Sequence, residues 1–310
     1  MIISASYKTD IPAFYGHWFE KRLEAGYCKV RNPYNRRHVR RVSLAREDVD
    51  GFVFWTKNLG PFMGRLERVA QFGRPFTVQY TITGYPQELE RTVVDADRSV
   101  RHVRAVADAY GPKAAVWRYD PILFSSLTPA EYHLENFERL AGALEGAADE
   151  VVISFVTIYK KTARNLDAAA REFGFTWEDP PDLVKLDLAA KLSEMAKAHG
   201  MKLSVCSQQR YVVPGAQAAR CVDAHRLAAM GGRPIRARRK GNRPDCGCYE
   251  SADIGEYDTC PHGCAYCYAV LHRDLALKRY RGHGPEGEFL FDPGDDACSR
   301  RGETRQTTLF

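Results

Sequence analysis

The 310-residue chain contains no apolar run approaching the ~18 residues of a membrane-spanning helix, so a helical membrane protein is not expected. Its opening stretch, MIISASYKTD, lacks the basic region and long apolar segment of a secretory leader. The expected setting is a reducing cytoplasm, where grouped cysteines read as metal or catalytic sites, not as disulfides. No internal repeat or low-complexity stretch is visible. No strong charge imbalance exists either: 45 basic against 39 acidic residues leave +6, by itself weak evidence for a polyanionic partner. A chain of this length makes one large domain or two small ones and needs no disulfide staples to hold a core.

What is present is the ordinary mix of a globular protein, 45% apolar and 27% charged. Positive charge concentrates in RNPYNRRHVRR (Arg31 to Arg41) and GRPIRARRKGNR (Gly232 to Arg243). Both can meet phosphates, and both are equally readable as solvated surface loops.

Short β-branched or aromatic runs alternate with helical patterns. The runs are MIISAS, GFVFWT, FTVQYTIT, AAVWRYDPI, EVVISFVTI and MKLSVCS. Between them lie AFYGHWFEKRLEAG, LGPFMGRLERVAQFG, PQELERTVVDADRSVRHVRAVADAYG, TPAEYHLENFERLAGALEG and PDLVKLDLAAKLSEMAKAHG. Near-continuous apolar strands separated by helices predict a parallel sheet and an α/β class. The strand ends are polar, and in parallel α/β folds ligands bind at the carboxyl ends of strands. Lys8, Asp10, Thr56, Lys57, Asn58, Gln79, Thr81, Arg118, Asp120, Lys160 and Cys206 are therefore candidates to line one mouth. The competing reading for any one of them is an ordinary loop polar.

Near the end, DTCPHGCAYCYA places Cys260, Cys264 and Cys267 in a C-x3-C-x2-C arrangement. Three thiolates on one loop can hold three corners of a cubane and leave the fourth open. Electron-transfer clusters usually take four cysteines, and structural zinc takes four ligands, usually as two spaced pairs. Zinc with His262 as an extra ligand is the competing reading. Cys206, Cys221, Cys246 and Cys248 precede the triplet and suit an auxiliary [4Fe–4S] cluster or a tetrahedral zinc site. Buried small hydrophobes are the bland alternative. A thiol of Cys246 or Cys248 is also a candidate catalytic hydrogen donor, while Cys28 and Cys298 are expected to be incidental.

The triplet resembles the signature of the radical S-adenosylmethionine (SAM) superfamily. The resemblance implies that Cys260, Cys264 and Cys267 ligate a [4Fe–4S] cluster whose open iron chelates SAM. One-electron cleavage of SAM then gives a 5′-deoxyadenosyl radical that abstracts a substrate hydrogen. Tyr266 would lie beside the adenine. Asp10 and Asp120 are expected to serve the cofactor, and Lys57 and Arg118 the cofactor or the substrate. An electron donor such as flavodoxin or ferredoxin is implied. In the superfamily the triplet follows the first strand of a partial (β/α) barrel; here it comes last. SADIGEYD is then the barrel's first strand, CYAVLHRDLALKRY its helix, and the fold an incomplete, circularly permuted (β/α) barrel of seven strands.

From Met1 to about Ala269 the chain also resembles the bacterial family catalogued as domain of unknown function 1848. That resemblance rests on IISASYKTDIPAFYGHWF, VRNPYN, VFWTKN, VQYTITGYP, WRYDPI and CGCYESADIGEYDTCPHGCAYCYA, with Lys8 where the family commonly reads Arg. A weaker similarity links it to the spore photoproduct lyase branch, which repairs DNA. A radical SAM enzyme of DNA repair or modification is the expectation, and a non-catalytic zinc or iron–sulfur nucleic-acid-binding protein the rival. One barrel is expected over residues 1–281, with a cysteine-rich segment at 206–267 and a flexible tail at 282–310. The tail's Gln306, Leu309 and Phe310 resemble the Q-x-x-L-F peptide that holds the bacterial sliding clamp.

Overall fold

Six of the apolar runs fold as strands: β1 (Ile2–Ala5), β2 (Gly51–Thr56), β3 (Phe76–Thr81), β4 (Ala115–Ile122), β5 (Glu150–Phe155) and β6 (Lys202–Val205). These elements come from a computed structural model that describes residues 1–35 and 37–291. Two short strands, β7 (Gln217–Ala218) and β8 (Ser251–Asp253), complete one eight-stranded sheet. Its spatial order is β7-β6-β5-β4-β3-β2-β1-β8, and every neighbouring pair is parallel. Strands thus follow one another across the sheet in chain order, except that the last strand lies beside the first, with Ile2 opposite Ser251. The fold is α/β, with a sheet consistent with an open or partial (β/α) barrel.

The period-2 alternation of each strand sorts the two faces. On one, Ile3, Phe54, Tyr80, Trp117, Tyr119 and Ile153 join the main core. Helices cover it: α3 (Met63–Gln71), α4 (Ala96–Tyr110), α5 (Ala130–Leu144) and α7 (Asp182–Ala198) supply Leu66, Val103, Phe137 and Leu192. On the opposite face, Ile2, Val53, Val116 and Val152 pack against Val222, Leu227 and Cys248 of the segment around α8 (Ala224–Gly231). One step further along the same strands that face turns polar, with Ser4, Trp55, Gln79 and Arg118. This polar rung is what the rest of the chain builds upon.

Three expectations change. The helix read from Pro86 onward begins only at Ala96, where the Asp95 carboxylate accepts the Arg98 N–H at 2.8 Å. An N-cap competes well with helix propagation, so the preceding residues are free to form a loop. The basic segment after Tyr27 is a two-stranded antiparallel hairpin, Tyr27–Arg31 against Val39–Ser43, that buries Cys28 and Val42. The tail boundary at Gly282 falls inside packed structure: Leu290 and Phe291 are buried, and Glu288 pairs with Lys29 at 2.7 Å. Cys298 and the Gln306, Leu309 and Phe310 peptide lie outside the described residues. Within them, no helix is long and apolar enough to cross a membrane.

Candidate functional site

The triplet loop follows β8 and precedes α9 (Arg273–Arg281). It is stitched closed by its own backbone: Asp258 N–H donates to the Ala269 carbonyl at 3.0 Å, and Cys267 N–H to Cys264 O at 3.1 Å. A short helix, α1 (Ile11–Phe14), braces it. The Asp10 carboxylate caps α1 through Ala13 N–H at 2.9 Å, accepts Lys57 N–H at 2.7 Å and meets His262 Nε2 at 2.8 Å. Asp10 therefore ties the ends of β1 and β2 to the cysteine loop. With Nε2 engaged by Asp10, His262 is a brace. Its Nδ1 is buried with no hydrogen-bond partner.

A second buried network lies beside Cys264. Lys57 Nζ donates to Glu90 at 2.8 Å and to Thr83 Oγ1 at 3.2 Å. Thr83 donates to the same Glu90 oxygen at 2.7 Å, and the Tyr266 hydroxyl also donates to it. Burial opposes the charge on Lys57, yet Glu90 and Cys264 hold its pKa above the ordinary lysine value. Burial pushes all three triplet thiols up, against the lowering influence of Lys57 on Cys264 and of Lys161 on Cys267. Left as free thiols, these cysteines are neutral. Metal coordination deprotonates a thiol outright, and nearby lysines favour the resulting thiolates.

A third group occupies the polar rung. Arg118 Nη1 reaches Gln79 Oε1 at 3.1 Å and Cys221 Sγ at 2.9 Å, while Nη2 pairs with Asp120. Cys221 Sγ lies 3.6 Å from Cys206 Sγ. Cys248 and Cys246 pack in the same cluster as Cys221 and Cys206. All four upstream cysteines therefore come together, with Cys221 and Cys206 nearest Arg118. The Cys248 hydrogen bond draws Cys246 down to about 5, whereas the Cys221 hydrogen bond and burial hold Cys206 well above the usual thiol value.

At the edge, Asp253 accepts Ser4 Oγ at 2.7 Å, Ser6 Oγ at 2.8 Å and Gly255 N–H at 3.1 Å, and pairs with Lys8 at 3.3 Å. Between the hairpin and the cysteine loop opens a cleft lined by Lys8, Arg31, Arg279, Glu256, Asp258 and Tyr257, so that its cations stand beside carboxylates. Tyr257 lies beneath the ammonium groups of Lys8 and Lys161, each 5.7 Å from its ring centroid.

The structure thus brings Asp10, Lys57 and Tyr266 to the triplet. It brings Arg118 and Asp120 to the second cysteine group. Lys160 opens α6 (Lys160–Phe173) on an exposed turn. Sequence reasoning missed Glu90 and Asp253. Asp253 is an acid in the otherwise uncharged SADIG, and that was the available signal; Glu90 sits in the polar QELER, which gave none. Among the described residues, no three of His, Cys, Asp and Glu enclose a single metal ion as the side chains stand. A cubane makes a different demand, since each thiolate meets its own iron. Three half-buried cysteines on one closed loop with cations beside them fit that demand.

The model of the family described as Domain of unknown function (DUF1848) matches residues 2–269. No curated protein matches the chain.

Proposed function

We propose that this chain, which belongs to the DUF1848 family, is a radical SAM enzyme whose cluster is held by Cys260, Cys264 and Cys267. One observation carries the reading: three half-buried cysteines share a single loop at the carboxyl ends of parallel strands, with the Lys57–Glu90 pair at 2.8 Å beside them. When bound, a [4Fe–4S] cluster with SAM supplies one-electron bond cleavage and hydrogen-atom abstraction. The chain's own residues do the rest. Asp10 and His262 fix the loop against β1 and β2. Glu90 keeps Lys57 charged and orients the Tyr266 hydroxyl, so the Tyr266 ring is held edge-on to Tyr85 in an apolar pocket. The apolar packing of Tyr85, Leu89 and Tyr266 beside Cys264 limits water and stray hydrogen donors on that side, as radical chemistry requires. The parallel pairing of β8 with β1 supports reading β8 as the first barrel strand, moved to the end of the chain by permutation.

The substrate we favour is DNA. The basic hairpin and the basic segment before Cys246 are its support, because phosphates are the ligand such surfaces attract. The Gln306, Leu309 and Phe310 peptide would add the sliding clamp as a tether and raise the local concentration on the duplex. Deleting Leu309 and Phe310 should abolish clamp binding and spare SAM cleavage; equal binding by full-length and truncated protein overturns the tether.

The deciding experiment is anaerobic reconstitution, reduction with dithionite in the presence of SAM, and measurement of 5′-deoxyadenosine. Its formation in catalytic amounts is expected. Its absence from protein that has taken up iron and sulfide would leave a non-catalytic iron–sulfur protein instead.

A further inference from the structure

We infer that Cys206, Cys221, Cys246 and Cys248 form a tetrahedral zinc site, separate from the triplet, that clasps the basic segment 232–245 to the end of the sheet. The four residues come from three places: the end of β6, the turn after β7 and the segment before β8. Cys206 Sγ lies 3.6 Å from Cys221 Sγ, and Cys246 and Cys248 pack in the same cluster. The Ser207 hydroxyl lies beside them, 3.7 Å from Cys206 Sγ.

The spacing selects the metal. Thiolates around zinc sit at about 2.3 Å from the ion, so tetrahedral geometry sets neighbouring sulfurs roughly 3.8 Å apart. The observed 3.6 Å is close to that edge. A cubane binds each thiolate to a different corner iron and needs the sulfurs much further apart. As thiols the four do not surround one point, so an ion must draw their side chains toward itself on binding.

The backbone is shaped for this approach. A Cβ on Gly247 would stand 2.9 Å from the Ala219 carbonyl, and one on Gly241 would stand 2.4 Å from the Cys246 carbonyl. Only glycine lets these segments close on each other. Arg118, buried and 2.9 Å from Cys221 Sγ, offsets part of the net negative charge of a four-thiolate zinc site. Val222 N–H, 3.4 Å from Cys248 Sγ, donates to a second sulfur. The basic segment is joined to the same knot, since Lys240 N–H donates to the Cys248 carbonyl at 3.0 Å.

The test uses full-length protein in which Cys260, Cys264 and Cys267 are all replaced by Ala, so that the outcome is independent of SAM chemistry. Metal analysis should find about one zinc per chain and no sulfide. Cobalt(II) added to the zinc-stripped wild-type protein should show thiolate charge transfer and tetrahedral ligand-field bands, and both should vanish in Cys221→Ser and Cys248→Ser. The wild-type cobalt spectrum decides the question even if the triple variant fails to fold. Four irons with sulfide in the triple variant, a Cys206–Cys221 disulfide in anaerobically handled protein, or no metal bound by wild-type thiols would each overturn the site.

Discussion

Glu90 and Cys264 face each other across an isolated antiparallel bridge, so the acid that neutralises Lys57 is anchored to the middle cysteine of the triplet loop. This couples a buried ion pair to the loop's position. Glu90 is 3% exposed and receives Lys57, Thr83 and Tyr266 on one oxygen. Removing one member of such a pair leaves an uncompensated buried charge, at a cost of about 3–5 kcal/mol. Glu90→Gln should therefore lower stability by that order and weaken cluster retention. Urea unfolding monitored by tryptophan fluorescence checks the first. If Glu90→Gln unfolds at the wild-type midpoint, the pair contributes nothing and Lys57 is already neutral.

Cys264→Ala should abolish SAM cleavage and leave the fold in place. The main core is built by strands and helices that do not include the triplet. The measurements are 5′-deoxyadenosine after reduction and a far-ultraviolet circular dichroism spectrum. Product formation at the wild-type rate in the mutant would remove Cys264 from the catalytic assignment.

Much of this arrangement was readable in advance, for definite reasons. The six main strands announce themselves because parallel strands buried on both faces are almost continuously apolar. Cys260, Cys264 and Cys267 are adjacent in sequence, so their grouping needs no tertiary knowledge. Glu90 was hidden because its stretch also fits a helical pattern, and only the Asp95 cap decides where the helix begins. The hairpin was hidden because its charged residues outnumber Cys28, Val30 and Val42, the three that pack inward. The meeting of Cys206 with Cys221, Cys246 and Cys248 depends on β7 adding to the sheet beside β6. A two-residue strand such as Gln217–Ala218 leaves almost no pattern to read.

His133 provides a pH test of the scaffold. It is fully buried, its Nδ1 accepts from the Tyr119 hydroxyl at 3.0 Å, and its Nε2–H donates to the Leu123 carbonyl at 3.0 Å. The first bond requires the neutral ring, because Nδ1 must accept; the second is made by either form. Burial lowers its pKa to about 4, against the raising influence of the carbonyl bonds. The unfolded chain, with an ordinary histidine pKa of about 6.5, then binds more protons than the native state between the two values. Stability contributed by neutral His133 is present above about 6.5 and is lost as pH falls towards about 4, by roughly 3 kcal/mol. His133→Gln should show a flatter dependence of urea-unfolding free energy on pH across that window. An unchanged slope would show that His133 does not carry the difference.

The basic segment before Cys246 gives the sharpest test of DNA as substrate. Ile235 and Ala237 pack inward against the cysteine-bearing cluster, while Arg236, Arg238, Arg239 and Lys240 stand exposed. Arg238 and Lys240 are partly neutralised by Glu250, at 3.5 and 3.0 Å. Arg236 and Arg239 have no such carboxylate among the described ion pairs, so their charge is the more available to phosphate. Each phosphate contact releases condensed counterions and adds about 0.9 to the slope of log affinity against log salt on duplex DNA. The double variant Arg236→Ala with Arg239→Ala should reduce that slope by nearly 2 and weaken binding similarly across sequences. It should leave SAM cleavage without DNA unaltered, because neither side chain belongs to the triplet's surroundings. Fluorescence anisotropy over a salt series measures the slope directly. If the double variant keeps the wild-type slope, this segment does not meet the backbone, and the case for a nucleic-acid substrate falls back on the basic hairpin.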